Sequence, residues 1–347
     1  MNASYIRGPQ TVLYCYEHIN TSCLRQNRSE VNLSAMYIFM VVSIILTVGG
    51  NMVVIISISH FKQLHSPTNF LILSLATTDF LLGLVVMPYS MVRSIESCWY
   101  FGDLFCTLHT CCDIMLCTAS IFHLCFISID RYYAVCHPLH YMTKITIPVI
   151  EGFVFISWSA PFVFAFGLVL SEIHVDGIQE YIQSVTCTGF CFLIFNKIWG
   201  LMSSLIAFFI PGTVMVGIYI HIFTVAKHQA KQIDAIANRP TQGSKGHNKV
   251  PLKKESKAAK TLSIVMGVFI LSWLPFFILN IADPFLDFST PVDIYNAALW
   301  MGYFNSTFNP IIYGLFYAWF RKAFKIIMTG HIFSRGSSTL NLFSNNN

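Results

Sequence analysis

The sequence predicts an all-α membrane protein, a seven-transmembrane helix bundle followed by a short amphipathic eighth helix. Three observations carry this. Of 347 residues, 55% are hydrophobic and only 11% charged, whereas a soluble domain carries about 25% charge. Apolar runs long enough to cross a bilayer core recur seven times, near 36–58, 68–92, 104–135, 147–170, 195–226, 258–282 and 294–317. The Lys and Arg residues are strongly one-sided. With seven spans the termini lie on opposite sides, and 16 of the 21 basic residues fall on the side of the C-terminus. The other five are Arg7, Arg25, Arg28, Arg93 and Lys197. Basic loops stay in the cytoplasm, which places the N-terminus outside.

The elements follow in order. Residues 1–35 form an extracellular tail with four N-x-S/T sequons, at Asn2, Asn20, Asn27 and Asn32, acceptors only on the lumenal side of the secretory membrane. The first thirty residues are polar, so no cleavable signal peptide is expected and the first span serves as the targeting signal. The bundle occupies 36–317, which leaves no room for a separate soluble domain. Residues 318–330 alternate apolar residues with Arg321, Lys322 and Lys325, as a helix lying on the inner membrane surface does. A cytoplasmic tail, 331–347, completes the chain. No Cys follows 318–330, so no acyl anchor is expected there.

Within the spans stand residues that a lipid-facing helix does not favour. Asp113 sits in the third span, and eighteen residues on comes Asp130-Arg131-Tyr132. Eighteen residues is close to five turns, so Asp113 and Arg131 share a face about 27 Å apart. A carboxylate at membrane depth costs roughly 2.5–3.5 kcal/mol on insertion scales and persists only with a partner or a function. No Lys or Arg is expected near its depth on another span, so the partner is sought in a cationic ligand; a structural role paired to another helix is the alternative. The outer face carries ten acids against five bases, which concentrates cations there. Further polar or helix-bending residues are Gly50-Asn51, Asp79, Ser120, Trp158, Pro211, Tyr219, Trp273-Leu274-Pro275 and Asn309-Pro310-Ile311-Ile312-Tyr313.

Taken in that order and spacing, these residues resemble the rhodopsin-like (class A) G-protein-coupled receptors over about 36–330. Asp113, the run from Trp273 to Phe276-Phe277, and Trp300 with Tyr303 resemble aminergic receptors. The stretches His60–Asn69, Ser97–Gly102 and Asn305–Tyr313, continuing to Tyr317 and Trp319–Ala323, resemble the trace amine-associated receptors. His137 and Ala318 depart from the pattern, where Asp and Pro are expected; both touch the G-protein face.

The resemblance implies a plasma-membrane, multi-pass receptor for small trace amines. It implies coupling to a stimulatory or olfactory G protein, a rise in cyclic AMP, and a place in olfactory cilia. A larger biogenic amine, such as serotonin or a catecholamine, is the alternative ligand. The implied ligand set is Asp113, Ile114, Cys117, Ser203, Ser204, Trp273, Phe276, Phe277, Trp300 and Tyr303. Aromatic faces attract cations by about 0.5–2 kcal/mol, although ordinary packing also explains each ring. Ser203 and Ser204 either meet a polar end of the ligand or bond back to their own helix. The fifth span lacks an Asp, which favours a primary amine.

Below the pocket, Asp79, Ser120 and Asn309 are expected to cluster, either around an allosteric Na⁺ or around a protonated Asp79. No other cofactor or metal is implied. The activation switch comprises Arg131 with Glu255 as an ionic lock, together with Tyr219, Trp273, Pro275, Asn309, Pro310 and Tyr313. In this class the third helix is tied to the second outer loop, which gives Cys106–Cys191; the family resemblance then assigns Cys15–Cys187 and leaves Cys23 and Cys98 without partners. Other functions fit poorly. A retinal protein needs a Lys in the seventh span and there is none. A transporter is expected to show repeats and a path of acids. No nucleophile–base or metal-ligand motif marks an enzyme.

Overall fold

The computed structural model describes residues 13–237 and 249–343. The described side chains exclude those of 229–230, 233–237 and 249–263. The seven long helices are Glu30–His60, Pro67–Glu96, Asp103–Cys136, Ile147–Leu170, the fifth in three parts (Lys197–Ser204, Leu205–Phe209 and Ile210–Ala237), Lys249–Ala282 and Val292–Phe316. An eighth, Ala318–Met328, follows the bundle. The sixth begins nine residues before its apolar run. Those nine residues hold four Lys and one Glu, good helix formers that need no lipid.

The starts are set by local chemistry. Ser29, Ser66 and Asn196 cap the first, second and fifth helices by accepting the backbone N–H three residues on. Proline shapes the interiors. Single π turns at Leu82–Val86 and Leu205–Phe209 stand just before Pro88 and Pro211. The inserted residue relieves the clash between a proline ring and the preceding turn. It also rotates everything beyond it by about 100°, which decides what the outer half of each helix points at.

The third helix is central and packs against the second, fourth and fifth; the first packs against the second and seventh, and the seventh against the sixth. The bundle is apolar outward, with Ile38, Ile45, Phe155, Val163, Phe223 and Leu271 exposed, while Asn51, Asp79, Asp130, Ser120 and Asn309 are buried. This inverts a soluble protein and suits lipid as the surrounding solvent. Two glycines permit close approach. A Cβ on Gly50 would lie 2.6 Å from the Pro310 ring, and one on Gly302 would lie 2.6 Å from the Trp273 indole.

The outer face corrects one disulfide expectation. Cys106 does pair with Cys191, but Cys187 is bonded to Cys23 and Cys15 to Cys98; the expected Cys15–Cys187 bridge is absent. The reason is a hairpin in the tail. Strands Leu13–Tyr14 and Leu24–Arg25 pair antiparallel, and the Cys15 amide bonds the Cys23 carbonyl at 2.9 Å. The two cysteines thus stand side by side, each facing a different loop. Thr21 and Cys23 hydrogen-bond both sides of Thr188, which seats Cys23 beside Cys187. The Cα separations of 5.0–5.9 Å lie in the ordinary range. Non-reducing peptide mapping is expected to yield these three linked pairs; a Cys15–Cys187 peptide would contradict the hairpin.

Candidate functional site

Asp113 opens onto a cavity in the outer half of the bundle. Its carboxylate accepts a 2.6 Å hydrogen bond from the Tyr303 hydroxyl and a weak 3.4 Å contact from the Cys117 thiol. Among the described residues no cation lies within ion-pair distance of it. Ion pairs elsewhere among the described residues include Arg25–Glu96, Arg28–Asp293 and Arg131–Asp130. Around Asp113 the cavity is lined by Ile114, Cys117, Ser203, Trp273, Phe276 and Phe277, all anticipated from the sequence, and by Phe164, Phe192 and Leu193. Trp273, Phe276 and Phe277 form a cluster with centroids 5.3–5.8 Å apart. The Gly302 gap lets the Trp273 ring sit against the seventh helix at the cavity's inner end.

Three expected ligand residues are placed differently. Trp300 turns toward the second helix, where its ring N–H donates to Ser94 at 3.1 Å, and does not line the cavity. Tyr303 is fully buried behind Asp113 and acts on it through its hydroxyl. Ser204 donates back to the Gly200 carbonyl at 2.7 Å and accepts from Asn280 at 2.9 Å. Ser203 makes the same two contacts at 3.4 Å each and also lines the cavity, so Ser204 takes the helix-bonded role while Ser203 has a share in both.

The cavity also has polar walls that the sequence reading missed: Arg93, Asn280, Tyr295 and Asn296. In the sequence Arg93 falls among the outer-loop charges, but it lies beyond the π turn before Pro88 and is buried. Pro88 inside an apolar run was the available signal. Above lies a second, wider cavity, roofed by the tail residues Cys23–Gln26 and walled by Tyr181, Phe190, Asp283 and Asp293. Phe192, Leu193 and Tyr295 line both cavities and separate them. At the rim, desolvation opposes ionisation of Asp293, but hydrogen bonds from Gln26 and Arg28 and the nearby guanidinium outweigh it and hold this carboxyl below its ordinary range.

Deeper in the bundle, Asp79 accepts hydrogen bonds from Ser120 at 3.0 Å, Ser306 at 2.7 Å and Asn309 at 2.7 Å. The three expected members meet, and Ser306 joins them. The Asn309 side-chain oxygen is buried without a hydrogen-bond partner. A carboxylate, two hydroxyls and this amide oxygen make an all-oxygen donor set of the kind a hard monovalent cation takes.

A seven-helix bundle with a polar spine and an anion at the head of its third helix narrows the family, and comparison decides it. The family model for the 7-transmembrane receptor (rhodopsin family) matches residues 50–313. The mouse protein named trace amine-associated receptor 4 is 64% identical over 331 residues, 95% of each chain. Mouse trace amine-associated receptor 3 is 55% identical over 99% of each chain, and the human receptor 1 is 51% identical over 95% of this chain and 98% of its own. The chain belongs to the trace amine-associated receptors. It is a multi-pass plasma-membrane receptor and not an enzyme. The motifs read from the sequence favour subtype four and then subtype three, the order in which these two mouse relatives fall.

At the cytoplasmic end of this receptor, Arg131 is held by Asp130, donating from Nε at 2.8 Å. Asp130 in turn accepts from Thr68 and from Tyr141, each at 2.9 Å. Tyr141 belongs to the short helix Pro138–Lys144, so the second inner loop is tied to the third helix through this carboxylate. The Glu255 side chain, the other half of the expected lock, lies outside the described residues. His137 makes a 3.3 Å contact with the Tyr132 hydroxyl. Ala318 opens the eighth helix after an extended Tyr317, a position where a proline's missing N–H would cost nothing. Pro275 and Pro310 both lie inside their helices, and Tyr313 is buried near Tyr317.

Proposed function

We propose that this receptor is switched by small primary arylalkylamines, of which 2-phenylethylamine is the simplest, and that it drives a stimulatory G protein to raise cyclic AMP, as an olfactory receptor in sensory cilia. The observation that carries the ligand reading is Asp113: a partly buried carboxylate whose donors among the described residues are a hydroxyl and a thiol, opening onto an aromatic cavity. An ammonium there gains a charge-assisted hydrogen bond, about twice the strength of a neutral one, and the ring faces of Trp273, Phe276 and Phe277 take the apolar body. Tyr303 holds the carboxylate in place and leaves its second oxygen to the ligand.

The fifth helix favours a plain aryl end over a hydroxylated one, because Ser204 is already saturated by Gly200 and Asn280. The test is a screen in cells carrying a cyclic AMP reporter. Phenylethylamine is expected to act at lower concentration than its ring-hydroxylated analogues and serotonin. The opposite order favours the larger biogenic amines, and silence to every amine would remove the ligand reading altogether.

We also read the Asp79 cluster as a Na⁺ site. Asp79, Ser120, Ser306 and Asn309 would hold the ion, which would supply positive charge to a buried carboxylate. Raising Na⁺ against a constant-ionic-strength background is then expected to lower amine affinity a few-fold in the native receptor and to have no effect in Asp79→Asn. Equal Na⁺ sensitivity in both proteins would refute the site.

A further inference from the structure

We infer that the segment after the eighth helix, 331–342, is a cap docked on the first inner loop, and that Ser337 is its latch: a phosphorylation site at which modification and docking exclude one another. The amine cavity plays no part in it.

The eighth helix ends at Met328, and Gly330 and Gly336 follow with φ of 72° and 83°, a backbone region that glycine enters without steric cost. The chain thereby reverses and returns to the inner end of the first helix. The turn Ser337–Thr339 packs on Lys62–Leu64 of the first inner loop. The Leu342 amide donates to the Gln63 side-chain oxygen at 3.0 Å, and Lys322 of the eighth helix donates to the Asn341 carbonyl at 2.6 Å. Leu342 is 2% exposed and joins the buried apolar cluster that holds Phe61 and Leu64. A solvated tail would bury no leucine; this one is seated, and burial of apolar surface holds it there.

Four hydroxyls stand in the segment. Those of Ser334 and Thr339 are on exposed residues and that of Ser338 on a half-buried one, whereas Ser337 is 4% exposed. A hydroxyl carries one hydrogen. That of Ser337 goes to the Ile332 carbonyl at 2.6 Å, which can only accept. Ser337 Oγ therefore accepts from His60 Nε2 at 2.9 Å, and this contact joins the turn to the first helix. The segment lies on the cytoplasmic side, where ATP and protein kinases are, and the exposed Arg335 two residues before Ser337 offers a basic handle to a kinase with an acidic substrate groove. Transfer of the γ-phosphoryl group of ATP forms an Oγ–P bond, breaks the bond from that phosphorus to the β,γ-bridging oxygen, and releases ADP and the hydroxyl proton. The Ile332 carbonyl then loses its donor and faces a group of about −1.5 to −2 charge at pH 7. So closed a seat has no space for three further oxygens and no water to hydrate their charge. The ester fits only the released tail, and the hydroxyl meets a kinase only from the released tail, so the two events are coupled reciprocally.

Hydrogen exchange of the full-length receptor in detergent micelles reads docking directly. Amides in peptides spanning 337–343 are expected to exchange at least about tenfold faster in Ser337→Glu than in the native receptor, and within about twofold of native in Ser334→Glu, where the residue is exposed. Equal exchange in the native receptor and Ser337→Glu overturns the latch. So does slower exchange in Ser337→Glu, the sign expected if His60 seated the anion, and so does equal release by both variants, which would make any charge in the tail sufficient. The modification is read by phosphopeptide mapping of receptor from cells whose Ser/Thr phosphatases are blocked with okadaic acid. Phosphate is expected to appear on Ser337, with an initial rate at least about threefold higher in Gln63→Ala and Leu342→Ala, which loosen the seat and leave the acceptor serine intact. Absence of phosphate from Ser337 in all three proteins, or one rate common to them, would contradict the site.

Discussion

Asp113→Ala is expected to abolish the response to phenylethylamine across the soluble concentration range, with surface expression near that of the native receptor. Truncating one partner of a buried, hydrogen-bonded charge pair costs about 2–5 kcal/mol, which corresponds to roughly 30- to 5,000-fold in affinity. Folding is expected to tolerate the change, because among the described residues the carboxylate's hydrogen-bond partners are Tyr303 and Cys117 alone. The measurement is a dose–response curve paired with surface labelling. A potency within threefold of the native receptor would mean that Asp113 does not hold the amine.

The second large effect is expected at Gly302. A β-branched side chain there meets the Trp273 ring at a separation that real Cβ atoms do not adopt. The indole lies between the sixth and seventh helices in a packed core and has no flexible end to yield. Overpacking of this kind costs about 1–3 kcal/mol, and here it also displaces the inner wall of the ligand cavity. Gly302→Val is therefore expected to lower the melting temperature of detergent-purified receptor by several degrees and amine potency by at least about tenfold. Gly212→Ala and Gly267→Ala, whose added carbons meet nothing within 4 Å, serve as controls and are expected to leave both unchanged. A Gly302→Val receptor with native stability and potency would show that the Trp273 contact does not shape the site.

The seven spans were legible because lipid leaves a helix few choices. Every backbone group must be satisfied internally, so each span is written as a long apolar run, and the exceptions within the runs stand out. Asp79, Asp113 and Asn309 were found in that way, and the structure sets Asp79 and Asn309 in direct contact. Arg93 was not found. Its position in the sequence, near the end of the second span, suits an interfacial arginine, and only the π turn before Pro88 brings it into the cavity. Trp300 failed for the converse reason. It shares the seventh helix with Tyr303 and Asn296, but its ring points to Ser94 on the second helix, and the three-residue spacing alone does not fix which of two neighbouring helices a side chain meets.

The outer face was the least legible part. Cysteine spacing carries no information on which loop a tail hairpin will face, and a two-residue strand pair leaves almost no pattern to read. The tail is nevertheless firmly placed. It is pinned by two disulfides, to the loops holding Cys98 and Cys187, and by the Arg25–Glu96 and Arg28–Asp293 pairs. It roofs the outer cavity, so a ligand reaches Asp113 past this lid and then past Phe192, Leu193 and Tyr295.

The central claim is that the ligand's ammonium sits on Asp113. A structure of the receptor bound to phenylethylamine tests it most directly. The account predicts the amine nitrogen within hydrogen-bond distance of an Asp113 oxygen, about 2.7–2.9 Å, with the phenyl ring against Trp273, Phe276 and Phe277. An amine nitrogen found instead against Asp283 or Asp293 in the outer cavity, with the Asp113 carboxylate still satisfied by Tyr303 alone, would contradict it.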